Sequence, residues 1–438
     1  MVEASVAMST EKDSTRAGRE VAKEALAGLS ASPKLAVVAV DSLTRTKFKY
    51  DEVLRGIREE IGTEVPLIGS IANGVLVNER FALKSVGLML LGGDVEVDSH
   101  FGYGNSRMGW QDIADDLLRT KQGLAPNPQR VMLSFYDGAR FPPEMMEQQK
   151  KLNSRVVGLM SGLLTRIFRR KMAEMWEQGM GMPTVQEIIT YLYEKGWDFP
   201  ILGNVSMAML DYKQFEFYMD QVMVDAVTGA IISGKGGTKF GFGYGAGALP
   251  TNIDIEVNRN IGNFFLKINR QAALEGFCSA IGIRKESLEE LRHEDYTNYI
   301  YLLGTTEEVD GEEYAHLTVT MTDPNLDNLV MSGFPFDKIP EKISIFESNP
   351  KVLLETTKKA VAKAKSEISK PKFLLGFDCV LRNFAYGDME PFVAQAIRET
   401  LGEDVPVLIF GSGGEVLGIK RDDYYWNSFT LIPLVGGV

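Results

Sequence analysis

At 438 residues, 45% apolar and 24% charged, the chain is too long for one hydrophobic core and has the make-up of a soluble globular protein. Its 47 basic against 59 acidic side chains leave a net charge of −12, a surface that repels nucleic acid and anionic lipid. Only Cys278 and Cys379 are present, far apart, which excludes a disulfide framework and a cysteine zinc site.

The predicted elements begin with a helix over Ser14–Leu29, capped by Ser14 or Thr15. Leu35–Val40 is a buried-strand run that closes on Asp41. Tyr50–Ile61 follows as a helix with Val53, Leu54, Ile57 and Ile61 on one face. Val65-Pro66 opens a short strand that breaks at Gly69-Ser70. Val86–Leu91 is another strand, and FGYGNS at 101–106 ends the segment.

The next stretch runs the same way. Val131–Phe135 is a strand closing on Tyr136-Asp137-Gly138, and helices fill Pro143–Lys195, including a Met-rich run at Val156–Trp176. Phe199-Pro200 opens a strand broken at Gly203-Asn204. Strands at Gln221–Val227 and Ala230–Ser233 precede FGFGYGAG at 240–247, whose recurrence marks a structural turn. Gly229–Lys235 fits a phosphate-loop spacing, yet it reads as strand, with no helix after it.

From Pro250 to Lys370 the pattern changes. Ile261–Asn269 is a strand, Gln271–Ile281 a helix, Tyr314–Met321 a half-buried strand and Val352–Ile368 an amphipathic helix. Lys372–Thr430 then returns to the first pattern: a strand closing on Asp378, a helix, and Val405-Pro406 opening a strand that reaches Gly411.

Three times, therefore, the chain runs strand, Asp, helix, [VF]-P, strand, Gly. Strand–helix–strand makes a right-handed parallel crossover, and the next strand adds beside it in antiparallel sense. The expected fold is α/β (mixed α+β): two domains on mixed sheets flanked by helices, with a repeated strand–helix–strand–strand unit. The boundary is placed near Ala248–Asn252. This gives an N-terminal domain over 1–250, with a helical insertion at about 143–197, and a C-terminal domain over 251–438.

The chain resembles the FIST family across nearly its whole length. TRAGREVAKEAL, LAVVAVD and VPLIGSIANGVL are similar to the FIST N-terminal domain. GNFFLKINRQAALEGFCSAIGI, FESNPKVLLETTKKAV, FDCVLR, GSGGE and WNSFT are similar to the FIST C-terminal domain. The resemblance implies a non-catalytic intracellular sensory module that binds a small metabolite such as an amino acid. With no output segment after Val438, signalling is expected to run through a separate partner protein. The family's Arg falls on Arg382 and its Gly-Glu turn on Gly414-Glu415, whereas Trp426 stands where the family has histidine.

The chemistry-bearing residues gather at the ends of the third pair of strands. Arg382 and Glu415 carry opposite charges suited to the carboxylate and amine of a zwitterion, or to each other. The ligand-binding set expected is Arg382, Cys379, Ser412, Gly413, Gly414, Glu415 and Asn427. Cys379 follows an acidic residue, so it reads as a buried small side chain rather than a nucleophile. Asp41, Asp137 and Asp378 recur at strand ends, where Asp commonly closes a turn onto backbone amides.

Two other readings compete. One is an interaction scaffold recruiting a partner through the 156–176 helix; the basic run RIFRRK within it reads as a solvated helix face. The other is a hydrolase using Ser412 with His316 as base. No metal spacing and no cofactor motif is present. The N-terminus lacks a signal peptide and no apolar run reaches bilayer length, so a cytoplasmic location without membrane insertion is expected.

Overall fold

The computed structural model describes residues 1–43, 48–140, 183–207, 214–261, 264–290, 297–309, 311–321, 330–332, 339–340, 342–386, 390–419 and 425–438. The Met-rich run at 156–176, its basic cluster and most of the expected helical insertion lie outside these. Compact packing divides the chain into two units. The described part of the larger holds 1–140, 183–245 and 354–438, and that of the smaller lies within 246–353. The chain crosses between them at 245/246 and 353/354, so the last segment folds with the first ones.

The larger unit is built from three modules with one plan. In the first, β2 (Pro33–Asp41) leads through α2 (Tyr50–Ile61) to β3 (Leu67–Ala72), and the two strands pair in parallel. The hairpin β4 (Val75–Val77) and β5 (Arg80–Ala82) follows, then β6 (Val86–Gly93), antiparallel to β2. The second module sets β8 (Arg130–Asp137) parallel to β9 (Ile201–Ser206), after α3 (Trp110–Gln122) and with α4 (Val185–Glu194) between the strands. Hairpin β10 (Glu216–Tyr218) and β11 (Gln221–Met223) comes next, then β12 (Ala226–Gly234) against β8. The phosphate-loop spacing thus lies on a strand.

The third module has α8 (Val380–Tyr386) and α9 (Glu390–Leu401) between β22 (Pro371–Cys379) and β23 (Val407–Ser412). Strands β24 (Glu415–Gly418) and β25 (Trp426–Asn427) form its hairpin, and β26 (Thr430–Gly437) lies against β22.

Each hairpin pairs not with its own module but with the preceding one, the first module's reaching round to the third. β4 adds to β23, β24 adds to β9, and β10 adds to β3. The outer strands are not exchanged: each precedes its module and pairs with that module's closing strand, β1 (Val2–Ser9) on β6, β7 (Val95–Gly104) on β12, and β13 (Lys239–Phe242) on β26. All three sheets therefore have one strand order, outer, closing, first, second, hairpin, hairpin. FGYG and FGF lie on β7 and β13, so the expected structural turns are strand segments.

The shared sequence signs acquire a physical cause here. The Pro carbonyl that opens each second strand accepts from the first strand: Ala36 N–H to Pro66, Met132 N–H to Pro200 and Leu374 N–H to Pro406, at 2.8 to 2.9 Å. The carbonyl before each Pro has no ladder partner, and a buried carbonyl needs a donor. Arg58 supplies it to Val65 at 2.6 Å, Trp197 to Phe199 at 2.9 Å, and Arg398 to Val405. The residue entering each closing strand is left-handed without being glycine: Lys84, Asp225 and Phe429, at φ 51°, 48° and 59°.

Aligned from their Pro, the second strands place Gly69, Gly203 and Ile409 at one position. A side chain at either glycine would run into the carbonyl of Val38 or Ser134 opposite. The third module moves its glycine to the facing strand, where Gly376 pairs with Ile409. Register also separates the three aspartates. Asp41 pairs with Ala72 and Asp137 with Ser206, but it is Cys379 that pairs with Ser412, so Asp378 points to the opposite face.

Each helix buries its apolar stripe on its sheet. Val21, Ala22, Val38, Val53, Leu54, Ile57 and Leu90 make the first module's core, and Ile113, Leu117, Ile188, Ile189, Val205 and Ile231 the second's. The rings of Phe135, Phe377 and Phe410 meet at 5.4 to 6.0 Å where the second and third modules join.

After the short β14 (Gly245–Ala246), the smaller unit is an antiparallel sheet. Its strands are β15 (Leu249–Ile261), β16 (Phe264–Ile268), β17 (Gln271–Ala272), β18 (Thr297–Val309), β19 (Glu312–Met321), β20 (Val330–Ser332) and β21 (Lys342–Glu347). Helix α5 (Ala273–Ile281) packs Leu274, Phe277 and Cys278 into it, and α6 (Lys285–Glu290) follows. Helix α7 (Pro350–Ala364) leads back to the larger unit.

Candidate functional site

The strand ends of the third module bring most of the expected residues together. Cys379 and Ser412 are register partners, and the turn Gly413-Gly414 delivers Glu415 beside them. Ser412 Oγ lies 2.5 Å from Asn204 Oδ1 and 2.7 Å from the Gly414 carbonyl, and it accepts from the Gly414 N–H at 3.1 Å. Glu415 Oε2 accepts from the Thr430 hydroxyl at 2.8 Å and its N–H at 3.2 Å. Glu415 Oε1 is buried with no hydrogen-bond partner. Burial, opposed by the Thr430 bonds, pushes this carboxyl up to about 8, so at neutral pH it is mostly protonated. Asn427 pairs in register with Glu415, donates to the Tyr425 carbonyl at 3.2 Å and accepts from the Tyr244 hydroxyl at 3.4 Å.

Arg382 stands apart from this group. It reaches Asp378, on the other face of β22, donating Nε–H to Oδ1 at 2.7 Å. Its Nη1 donates to the Gly245 carbonyl at 3.1 Å and its Nη2 to Thr357 Oγ1 at 2.8 Å. The guanidinium is wholly buried, and its ion pair is with Asp378. Burial lifts Asp378 to about 6 despite the guanidinium, which leaves it ionised at neutral pH.

A cavity of about 20 Å³, room for roughly one water, opens on the Asp378 face. Its lining joins Asp378, Asn383 and Gly411 to the apolar Leu76, Phe81 and Val393. Cys379 is buried and its thiol is pushed well up by that burial and by Glu415, so it is no thiolate nucleophile at neutral pH. Ser412 spends its hydroxyl on Asn204 and Gly414, while His316 pairs with Glu307 at 3.0 Å within the smaller unit. Among the described residues no cluster of His, Cys, Asp or Glu has metal-binding geometry, and no helix is long and apolar enough to cross a membrane.

The recurrent aspartates do not share one duty. Asp41 does close a turn, accepting from the N–H groups of Gly74 and Lys84 at 2.8 Å and of Leu43 at 3.1 Å. Asp137 instead anchors a charged cluster that the sequence reading missed. Arg107, fully buried, donates Nη1–H to Asp137 and, at 2.7 Å, to Asp225, and Nη2–H to the Gly138 carbonyl. Arg140 lies 3.5 Å from Asp137. Ser206, the register partner of Asp137, donates to Glu216, and Gln214 donates to the Ala139 carbonyl at 2.8 Å. Asp137 is raised by burial against the pull of Arg107, and Glu216 is raised well above its ordinary value by burial and then by Asp137. No motif flags these residues, which are scattered singly between 107 and 225.

Module equivalence relates the two sites. Hairpin register puts Val75, Glu216 and Glu415 at one position, and strand register puts Ala72, Ser206 and Ser412 at another. The Ser–Glu pair is thus present in the second and third modules and apolar in the first.

A family model described as FIST N domain matches residues 42–271. No curated protein matches the chain.

Proposed function

The chain belongs to the FIST family of sensory domains, and from that premise we propose that it binds a small metabolite, an amino acid being the leading class, and signals through a separate partner protein. The observation that carries this reading is the cavity at the carboxyl ends of the parallel β22 and β23. Open α/β sheets take their ligands at that edge, because the loops that follow the strands project side chains and amides there.

Arg382, Cys379, Ser412, Gly413, Gly414, Glu415 and Asn427 are the proposed ligand-binding group; the cavity itself is lined by Asp378 and Asn383, with Arg382 bonded to Asp378, while Cys379 and Ser412 lie on the opposite face of the sheet. A carboxylate reaching Arg382 would exchange for one of its present acceptors. A ligand larger than a water must widen the cavity between Phe81 and Val393, which would couple binding to the hairpin that the first module lends to the third. We also infer that the three modules descend from one repeated unit. The proposed FIST N-terminal (1–250) and C-terminal (251–438) halves would then contribute two copies and one.

The test is thermal unfolding against a panel of amino acids and small metabolites. Ligand binding raises the midpoint as its concentration rises. Val393→Phe, which fills the cavity, should abolish the response while leaving the unliganded midpoint near the parent's. A ligand whose effect survives Val393→Phe and Asn383→Ala, or a panel without any response, overturns the assignment.

A further inference from the structure

The cluster around Asp137 holds four buried side-chain atoms with no hydrogen-bond partner: Asp137 Oδ1, Gln214 Oε1, Glu216 Oε2 and Arg107 Nε. Three are acceptors, on side chains at most 2% exposed. Their residues adjoin one another. Asp137 and Ser206 face each other across β8 and β9, Ser206 holds Glu216, and a Cβ at Gly138 would sit 3.3 Å from Gln214 Cγ. The cluster sets two guanidiniums, Arg107 and Arg140, against three carboxyls, Asp137, Asp225 and Glu216. With all of them ionised one negative charge is uncompensated.

We propose that Asp137, Gln214 and Glu216 form a binding site for the ammonium group of a primary amine. An ammonium donates three hydrogen bonds and carries the one positive charge that balances the cluster, whereas a water donates only two. Buried acceptors left unfilled cost stability, so the site gains from an occupant that fills all three. The fold itself does not require this chemistry. In the first module the equivalent positions are Ala72 and Val75, and Asp41 has its oxygens filled by backbone amides. The edge of the cluster nearest solvent is that of Arg140 and Asp225, whose side chains are 28% and 15% exposed. Arg140 there offers a cation to any carboxylate borne next to the ammonium, so alkylamines and amino acids share the recognised group. This site is built from β8, β9 and β10 and stands independently of the proposed cavity beside Asp378.

Thermal unfolding and calorimetry of the whole chain with n-butylammonium chloride, norvaline, tetramethylammonium chloride and sodium chloride decide the matter. Norvaline is butylamine with a carboxylate added, and tetramethylammonium has the charge without N–H donors. At least one of the first two should raise the midpoint above the matched sodium salt, and the tighter of them says whether the ligand carries a carboxylate. Binding should release up to one proton to the buffer, read from heats in two buffers, because the bound cation favours the ionised form of a carboxyl that otherwise holds a proton. Glu216→Gln should weaken binding about tenfold or more and remove the proton release. Gln214→Met, which deletes one acceptor at similar volume, should weaken binding and keep the proton release. Tetramethylammonium acting as well as butylammonium, no response to either amine, or an unchanged response in Gln214→Met overturns the proposal. The last of these decides even where Glu216→Gln does not fold.

Discussion

Replacing Glu415 by Gln turns a buried, pH-dependent group into a fixed neutral one of the same shape. The parent carboxyl is lifted from an ordinary 4.5 to about 8 by complete burial. Between those values the folded chain keeps a proton that the unfolded chain releases, so stability falls as pH rises. At 1.36 kcal/mol per unit, the whole window amounts to on the order of 5 kcal/mol. Below pH 5 parent and variant are both neutral there, and Gln costs about 1 kcal/mol for an amide hydrogen placed where Oε1 is unpaired. The parent loses that advantage within about one pH unit above 4.5, so the order inverts between about pH 5 and 6, and the variant's lead grows until about pH 8, where the folded parent also ionises. Urea unfolding at pH 5, 6, 7 and 8 reads the difference directly, and the contribution of Asp378 cancels because both proteins carry it. A parent-to-variant difference that stays constant from pH 5 to 8 refutes the neutral buried Glu415.

Gly69→Ala and Gly203→Ala should each destabilise the larger unit by about 2–4 kcal/mol, since the added methyl meets a facing backbone carbonyl that cannot retreat. Gly104→Ala, with open space around it, should be near neutral in the same urea titration. Arg58→Met should cost about 2–3 kcal/mol by leaving the carbonyls of Gly62 and Val65 without their donor. Arg398→Met should behave alike, and a neutral outcome for either would deny the guanidinium its role at the Pro-preceding carbonyl.

The features legible in the sequence are those fixed by local geometry. Val-Pro or Phe-Pro announces a strand opening because Pro restricts the residue before it, and the apolar runs ending at Asp41, Asp137 and Asp378 mark buried strands. The helix over Tyr50–Ile61 carries a plain 3.6-residue stripe. Strand β1 went unread because Glu3, Ala4, Ser5 and Ala7 give too little apolar contrast, although it is half-buried along its length. The cyclic exchange of hairpins was illegible for another reason. Strands of three residues have almost no pattern, and their partners lie far off in sequence, as Val77 does from Leu408. At the site, Ser412, Gly414 and Glu415 were found because they are adjacent. Arg107, Gln214 and Glu216 were not, since only pairing across β3, β9 and β10 assembles them. The face on which Asp378 lies could not be told from that of Cys379 without register.

The cyclic pairing makes the larger unit unlike a stack of repeats that can be lengthened or shortened at its ends. A fragment cut after residue 250 would keep β4, β9 and β13 but lose β23, β24 and β26, their partners. Unpaired strand edges of this kind invite pairing with other chains. A nascent polypeptide carries those same open edges until residues 430–437 have been made, so contacts spanning most of the chain must form before the unit is sealed. Slow closure and a need for protection during synthesis follow from the topology alone.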